Sequence, residues 1–229
     1  MIAIILAAGR GTRMGDLTNS IQKAMFEVLG KTLIEWKLEA LPKKIDHIIF
    51  TVNYKKEQII NHFGNSWNGI PITYVEQEVL NGTSGALTLC REYIKDKALI
   101  LMGDDIYNKE DLEKLISYDN ALLVFDEGEE GLKKKGQVVE KDGLLAGLNE
   151  GLSQTGIPSS FINTGAYIIS KEYFNFPQVN DSIKEYGIPN TLVRISKEIP
   201  INVIEAKWWI QITSPEHLTR AEKILSELN

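Results

Sequence analysis

Five residues among the first 23 have types and spacing that suit a polyanion: Gly9 and Gly11 bracket Arg10, and Arg13 and Lys23 follow. Glycine lets backbone N–H groups turn and approach a ligand at angles that a Cβ forbids, so such a loop can become a nest for anionic oxygens. Three cations on the same stretch supply matching charge, and together they suit the holding of a triphosphate. A strand followed by an ordinary basic turn is the plain alternative.

Spacing excludes two familiar phosphate loops. The P-loop G-x-x-x-x-G-K-[ST] needs a Lys-Ser or Lys-Thr that does not follow Gly9 or Gly11 at the required distance. The dinucleotide fingerprint G-x-G-x-x-G would put glycine at Met14, and the strand expected at 47–52 is followed by Asn53 where an acid for the ribose should stand.

Leu6, Ala8, Gly9, Gly11, Arg13, Met14 and Lys23 together resemble the signature L-x-A-G-x-G-x-R-[ML]…P-K of the sugar-phosphate nucleotidyltransferases. These enzymes make a nucleotide-sugar and pyrophosphate from a nucleoside triphosphate and a sugar-1-phosphate. The resemblance implies that Leu6, Ala8, Gly9 and Gly11 line the nucleotide. It implies Arg13 on the departing β/γ phosphates and Lys23 on the α-phosphate and the attacking phosphate. Gln22 replaces the proline of the signature, which is expected to loosen the backbone ahead of Lys23.

Two further loops extend the likeness. Residues 76–86 read E-Q-x-x-x-x-G-T-x-x-A, a string that faces the nucleotide base in the family, so Gln77, Gly82 and Thr83 are implied as nucleotide-binding. A glutamine amide offers both a donor and an acceptor and suits N3–H and O4 of uracil or thymine. UTP or dTTP is therefore expected, with CTP and GTP open because the amide can turn round. A Gly-Thr helix start without a ligand is the alternative. Met102-Gly103-Asp104-Asp105 resembles [LI]-x-G-D, which implies Asp104 as a ligand of Mg²⁺, a hard cation that takes one or two carboxylates together with substrate phosphates. Asp105 is expected to cap the helix beginning near Lys109 or to face solvent.

The second half resembles the sugar side of the family. Residues 136–139 and 143–150 look like G-x-V…D-G-x-[LIV]…E-K, and 161–167 like N-[TA]-G-[IV]-Y. By that likeness Gly143 approaches the sugar through its backbone, Glu150 accepts sugar hydroxyls, and Asn163 bonds ribose or sugar. A hairpin and a buried strand with a polar end would read the same way. Gly151 replaces the lysine of E-K. In 206–218, similar to W-x-D-x-[GT]-T-P-E-[DH]-L, Gln211 stands where many relatives carry a second magnesium-binding aspartate. These departures motivate one rival, a non-catalytic nucleotide-binding relative. Another is a CTP:phosphoalcohol cytidylyltransferase of the phosphocholine type, which would not need the Gln77 to Thr83 loop.

The elements that must position these residues alternate. Ile2 to Ala8 is a continuous apolar run, as in a strand covered on both faces. Helices are expected at 32–41, 55–63 and 84–94, with strands at 47–52, 70–75 and 98–102. The pattern predicts an α/β fold, a doubly wound, mixed but mostly parallel sheet of Rossmann-like kind. Ligands bind such sheets beyond the carboxyl ends of the strands, where loops 9–15, 76–83 and 103–105 all fall. The resemblance makes it the nucleotide-diphospho-sugar transferase type. At 229 residues one domain is expected, with a nucleotide-binding half at 1–105 and a sugar-binding half at 106–229.

Composition narrows the partners. A net charge of -6 argues against a nucleic-acid surface. No run approaches the roughly 18 apolar residues of a membrane span, and Ile2 to Ala8 lacks the basic lead of a secretion signal. The single cysteine, Cys90, suits a reducing cytoplasm. His47, His62 and His217 lie too far apart to read as a zinc site.

Overall fold

The computed structural model describes residues 1–134, 136–149, 155–179 and 185–228. In chain order it places β1 (Ile2–Ala7), β2 (Glu27–Val28), β3 (Lys31–Thr32), α1 (Leu33–Ala40), β4 (His47–Val52), α2 (Lys56–Phe63), β5 (Ser66–Trp67), β6 (Ile70–Glu76) and α3 (Thr83–Leu89). Then come β7 (Lys97–Met102), β8 (Asp105–Tyr107), α4 (Lys109–Leu115), β9 (Ala121–Asp126), α5 (Gly128–Gly131), β10 (Gln137–Lys141), β11 (Leu144–Asn149) and β12 (Phe161–Ser170). Last are α6 (Ile188–Ile195), β13 (Asn202–Glu205), β14 (Trp209–Gln211) and α7 (Pro215–Leu228).

One sheet runs β10-β11-β13-β9-β12-β7-β1-β4-β6-β5. Its centre, β7-β1-β4-β6, is parallel, and β9 and β13 pair in parallel too. β12 joins β7 and β9 antiparallel, and β10 and β11 form an antiparallel hairpin. The sheet is therefore mixed, and less parallel than the apolar runs predict. The reason is that β12 is buried along most of its length, and a strand covered on both faces reads as one apolar run whichever way it pairs.

Alternation along each strand divides the core. Ala3, Ile5, Ala7, Phe50 and Val52 face α1, α2 and α4, whereas Ile4, Leu6 and Ile49 face α3 and α6. A third cluster joins Met14, Val28, Leu33, Ile106, Ile210 and Leu225, so α7 packs beside the glycine loop and its fully buried Met14. Burying a methionine stabilises by about 2 kcal/mol, enough to anchor one point of an otherwise exposed loop. α1 begins with a capping box: the Glu35 N–H donates to Thr32 Oγ1 at 3.1 Å and the Thr32 N–H donates to Glu35 Oε2 at 2.7 Å.

Candidate active site

The carboxyl ends of β1, β4, β6 and β7 open into a cavity of about 440 Å³. Leu6 and Ala8 form its wall at the end of β1, and Gly9, Gly11 and Arg13 its rim. Gln77, Gly82 and Thr83 line a second side, and Lys23 and Asp104 line it together with them. Every nucleotide-side residue expected from the sequence thus borders one space.

Lys23 is 6% exposed, and its Nζ forms an ion pair with Asp104 Oδ2. Asp104 keeps more than a quarter of its side chain exposed, 28%, so it remains within reach of a ligand. Gly11 is what lets the lysine pass. Its φ is +65°, and a Cβ there would lie 2.8 Å from Lys23 Cβ. Arg10 and Arg13 are exposed on the rim, with Arg10 Cζ 5.1 Å from the centre of the Tyr54 ring. The rim cations are thus open to solvent and phosphate, and the inner one is preset against a carboxylate.

The loop at 76–83 is held by polar groups of its own. Gln77 is nearly buried; its Nε2 donates to Asn81 Oδ1 at 3.2 Å and to the Gly82 carbonyl at 3.1 Å. Asn53 Nδ2 donates to the Gln77 carbonyl at 2.8 Å, so the residue that spoiled the dinucleotide reading has a structural task here. The loop closes on Tyr186, whose carbonyl accepts from the Ser84 N–H at 2.9 Å and whose N–H donates to Asn81 at 2.8 Å. Glu185, next to it, lines the cavity. Nothing in the local sequence marks Glu185, because only the fold carries it there from about 100 residues away.

Two expectations change. Gln22 does not loosen the chain before Lys23: it is 1% exposed, has φ -65°, and its Nε2 donates to the Ala7 carbonyl at 2.8 Å. Asp105 neither caps a helix nor faces water. Asn108 caps α4, accepting from the Asp111 N–H at 3.0 Å, while Asp105 lies on β8 at 4% exposure. Its Oδ1 has no hydrogen-bond partner among the described residues. Burial, then the charge of Asp104, pushes the Asp105 carboxyl well above the usual range. Lys37, fully buried on α1, donates to the Leu33 carbonyl at 2.8 Å, and burial pushes its amine down to about 7.

The described sugar-side residues, Gly143 and Asn163, do not border the cavity. Gly143 forms the hairpin turn of β10 and β11 with Asp142, both at positive φ, and its N–H donates to Glu140 Oε1. Asp-Gly is among the strongest short hairpin signals, and that turn chemistry accounts for the residue. Asn163 lies on β12 and donates through Nδ2 to the Tyr167 hydroxyl at 2.8 Å. Its N–H donates to the Gly136 carbonyl at 3.0 Å, and its Oδ1 accepts from the Gly165 N–H at 3.1 Å. Glu150 and Gly151 lie outside the described residues. Gln211 pairs with Asp105 between β14 and β8, is exposed, and does not border the cavity. No cluster of three or more metal-ligating side chains occurs among the described residues.

A glycine loop at the carboxyl ends of the central strands and a lysine–aspartate pair thus share one cavity of this mixed α/β fold. Residues 2–188 match the nucleotidyl transferase family, and the chain belongs to it. It is 31% identical over 239 residues to the UTP–glucose-1-phosphate uridylyltransferase AglF of Haloferax volcanii, covering 99% of this chain and 97% of that protein. It is 29% identical over 239 residues to the bifunctional protein GlmU of Methanococcus maripaludis, covering 100% of this chain and 56% of that one. The chain thus spans about half the length of the GlmU relatives it matches. A solved UDP-glucose pyrophosphorylase complexed with UDP-glucose shares the fold, with a TM-score of 0.79 at 19% identity, covering 100% of this chain and 99% of the other.

Proposed function

We propose that the protein is a nucleotidyltransferase that forms a nucleotide-sugar and pyrophosphate from a nucleoside triphosphate and a sugar-1-phosphate. The observation that carries this reading is the Lys23–Asp104 pair at the foot of the glycine loop, in the same cavity as Gln77. Full-length similarity to a uridylyltransferase supports it.

A sugar-1-phosphate oxygen attacks the α-phosphorus in line, and pyrophosphate leaves. No side chain becomes covalently attached. Positioning and charge stabilisation supply most of the acceleration in such reactions. Lys23 leaves its salt bridge in part to meet the α-phosphate and the incoming phosphate. Arg13, exposed on the rim, meets the departing β/γ oxygens. Gln77 spends its donor on Asn81 and Gly82, which leaves Oε1 as an acceptor for the N3–H of uracil or thymine, so UTP or dTTP is the proposed nucleotide.

Asp104 fits a magnesium site: one accessible carboxylate facing the phosphate space is what this ion takes alongside substrate oxygens. Held by Asp104, Mg²⁺ would offset the negative charge of the substrate phosphates. Asn163, on the strand next to β7, is the described side chain assigned to the sugar side, Gly143 being accounted for by its turn. We further read residues 1–229 as one catalytic unit working in the cytoplasm, in keeping with the free, buried Cys90.

The test is pyrophosphate release in the presence of Mg²⁺, with each nucleoside triphosphate or dTTP paired against a panel of sugar-1-phosphates. Release with UTP or dTTP is expected. Tight nucleotide binding without release from any pair would mark a non-catalytic relative, and release with CTP and a phosphoalcohol alone would mark the cytidylyltransferase chemistry.

A further inference from the structure

Lys23 sits between residues that are themselves tied down. Gln22 Oε1 accepts the Ala24 N–H on one side of it, and Gln22 Nε2 donates to the Ala7 carbonyl at the end of β1 at 2.8 Å. The Gln22 N–H donates to Gln58 Oε1 at 2.7 Å, and Gln58 Nε2 donates to the Ser20 carbonyl at 2.8 Å. Each amide is presented with one N–H and one carbonyl, so both orientations are fixed by their partners: turning either side chain round would set donor against donor and acceptor against acceptor.

The backbone result is specific. Gln22 holds φ at -65° and ψ at 136°. A φ near -65° is the angle that a proline ring imposes without any partner. Here hydrogen bonds fix it instead, and one of those partners, Gln58, belongs to α2 and does not border the cavity. The same segment grips the loop again through Tyr54, whose hydroxyl donates to the Thr18 carbonyl at 2.9 Å.

We propose that Gln22 and Gln58 form a polar clamp that positions Lys23 for nucleotidyl transfer, making α2 a support of the catalytic lysine. The inference rests on the assignment of Lys23 to the reacting phosphates. Gln22 and Gln58 are positioning residues. Losing Gln58 leaves the buried Gln22 N–H unpaired and frees the backbone angle that aims the lysine.

A double-mutant cycle tests the clamp, using kcat and KM for pyrophosphate release in the native chain, Gln58→Ala, Gln22→Pro and the double variant. Gln58→Ala is expected to lower kcat on the order of tenfold while the nucleotide KM moves less than about twofold, because misaimed catalytic groups cost rate more than binding. In the Gln22→Pro background, where the ring sets φ, adding Gln58→Ala should change kcat by less than about twofold, a non-additivity that a merely structural glutamine would not produce. Thermal melts confirm that each variant is folded. Equal losses in both backgrounds, or an unchanged kcat in folded Gln58→Ala, would overturn the clamp. Lys23→Ala separates the two readings. Inactive Lys23→Ala beside fully active Gln58→Ala removes the clamp alone, whereas active Lys23→Ala removes the role of the lysine and the clamp with it.

Discussion

Gly11 and Lys23 share one volume. The glycine has φ +65°, and its missing Cβ is the space occupied by the stem of the lysine. Gly11→Ala therefore meets two penalties: strained backbone and a collision that the buried lysine can relieve only by leaving Asp104. Strain of this sort costs about 1–3 kcal/mol. Turnover is expected to fall at least about a hundredfold, in proportion to the displaced charge contact. Steady-state assay of Gly11→Ala beside Gly15→Ala checks this, since Gly15 has φ +60°, does not border the cavity, and an added Cβ there meets nothing within 4 Å, so it should cost much less. The sequence showed Gly11 as a loop former, but the contact with a residue 12 positions on belongs to the folded chain.

At the scale of elements, the start of α3 is one place where the two halves of the chain meet. Gly82 has φ +100°, and a Cβ on it would lie 2.4 Å from the Tyr186 carbonyl oxygen, backbone that cannot swing aside. Thr83 Oγ1 accepts from the Ile188 N–H at 3.0 Å, so the same turn also receives the first residue of α6. Gly82→Ala should destabilise the fold by at least about 2 kcal/mol and weaken nucleotide binding, since the Gln77 side chain bonds to that turn. Urea unfolding and nucleotide titration measure the two effects, and an unchanged urea midpoint would show that segment 185–188 does not press on α3. The strand–helix alternation of 1–102 was legible because apolar periodicity reports burial directly. The helix expected over 84–94 ends at Leu89 instead, and residues 91–93 continue as a short 3-10 turn. Helix length depends on packing that periodicity does not record.

Across the whole molecule, a buried Lys37 and a buried Asp105 lie behind the Lys23–Asp104 pair. Lys37 is held near 7 when folded and returns above 10 when unfolded. Between those values the unfolded chain binds a proton that the folded chain does not, so this group makes stability rise with pH. Lys37→Met removes the penalty. Its stability advantage over the native chain is expected to be largest at pH 7 or below and to shrink by about pH 10, as read from urea midpoints across that range. An advantage that stays constant with pH would mean that Lys37 remains charged against Asp105.

The sequence by itself picked out residues that come to border one cavity, because glycine spacing, cations and strand ends are local properties of a continuous stretch. It also determined that the chain alternates strands and helices, because burial writes its period into side-chain polarity. Only the tertiary structure decided that Gln22 fastens the lysine loop, that Asp105 turns inward, that Glu185 reaches the cavity and that Gly143 does not. Each of these depends on which distant backbone stands opposite a side chain, and a linear pattern carries no record of that.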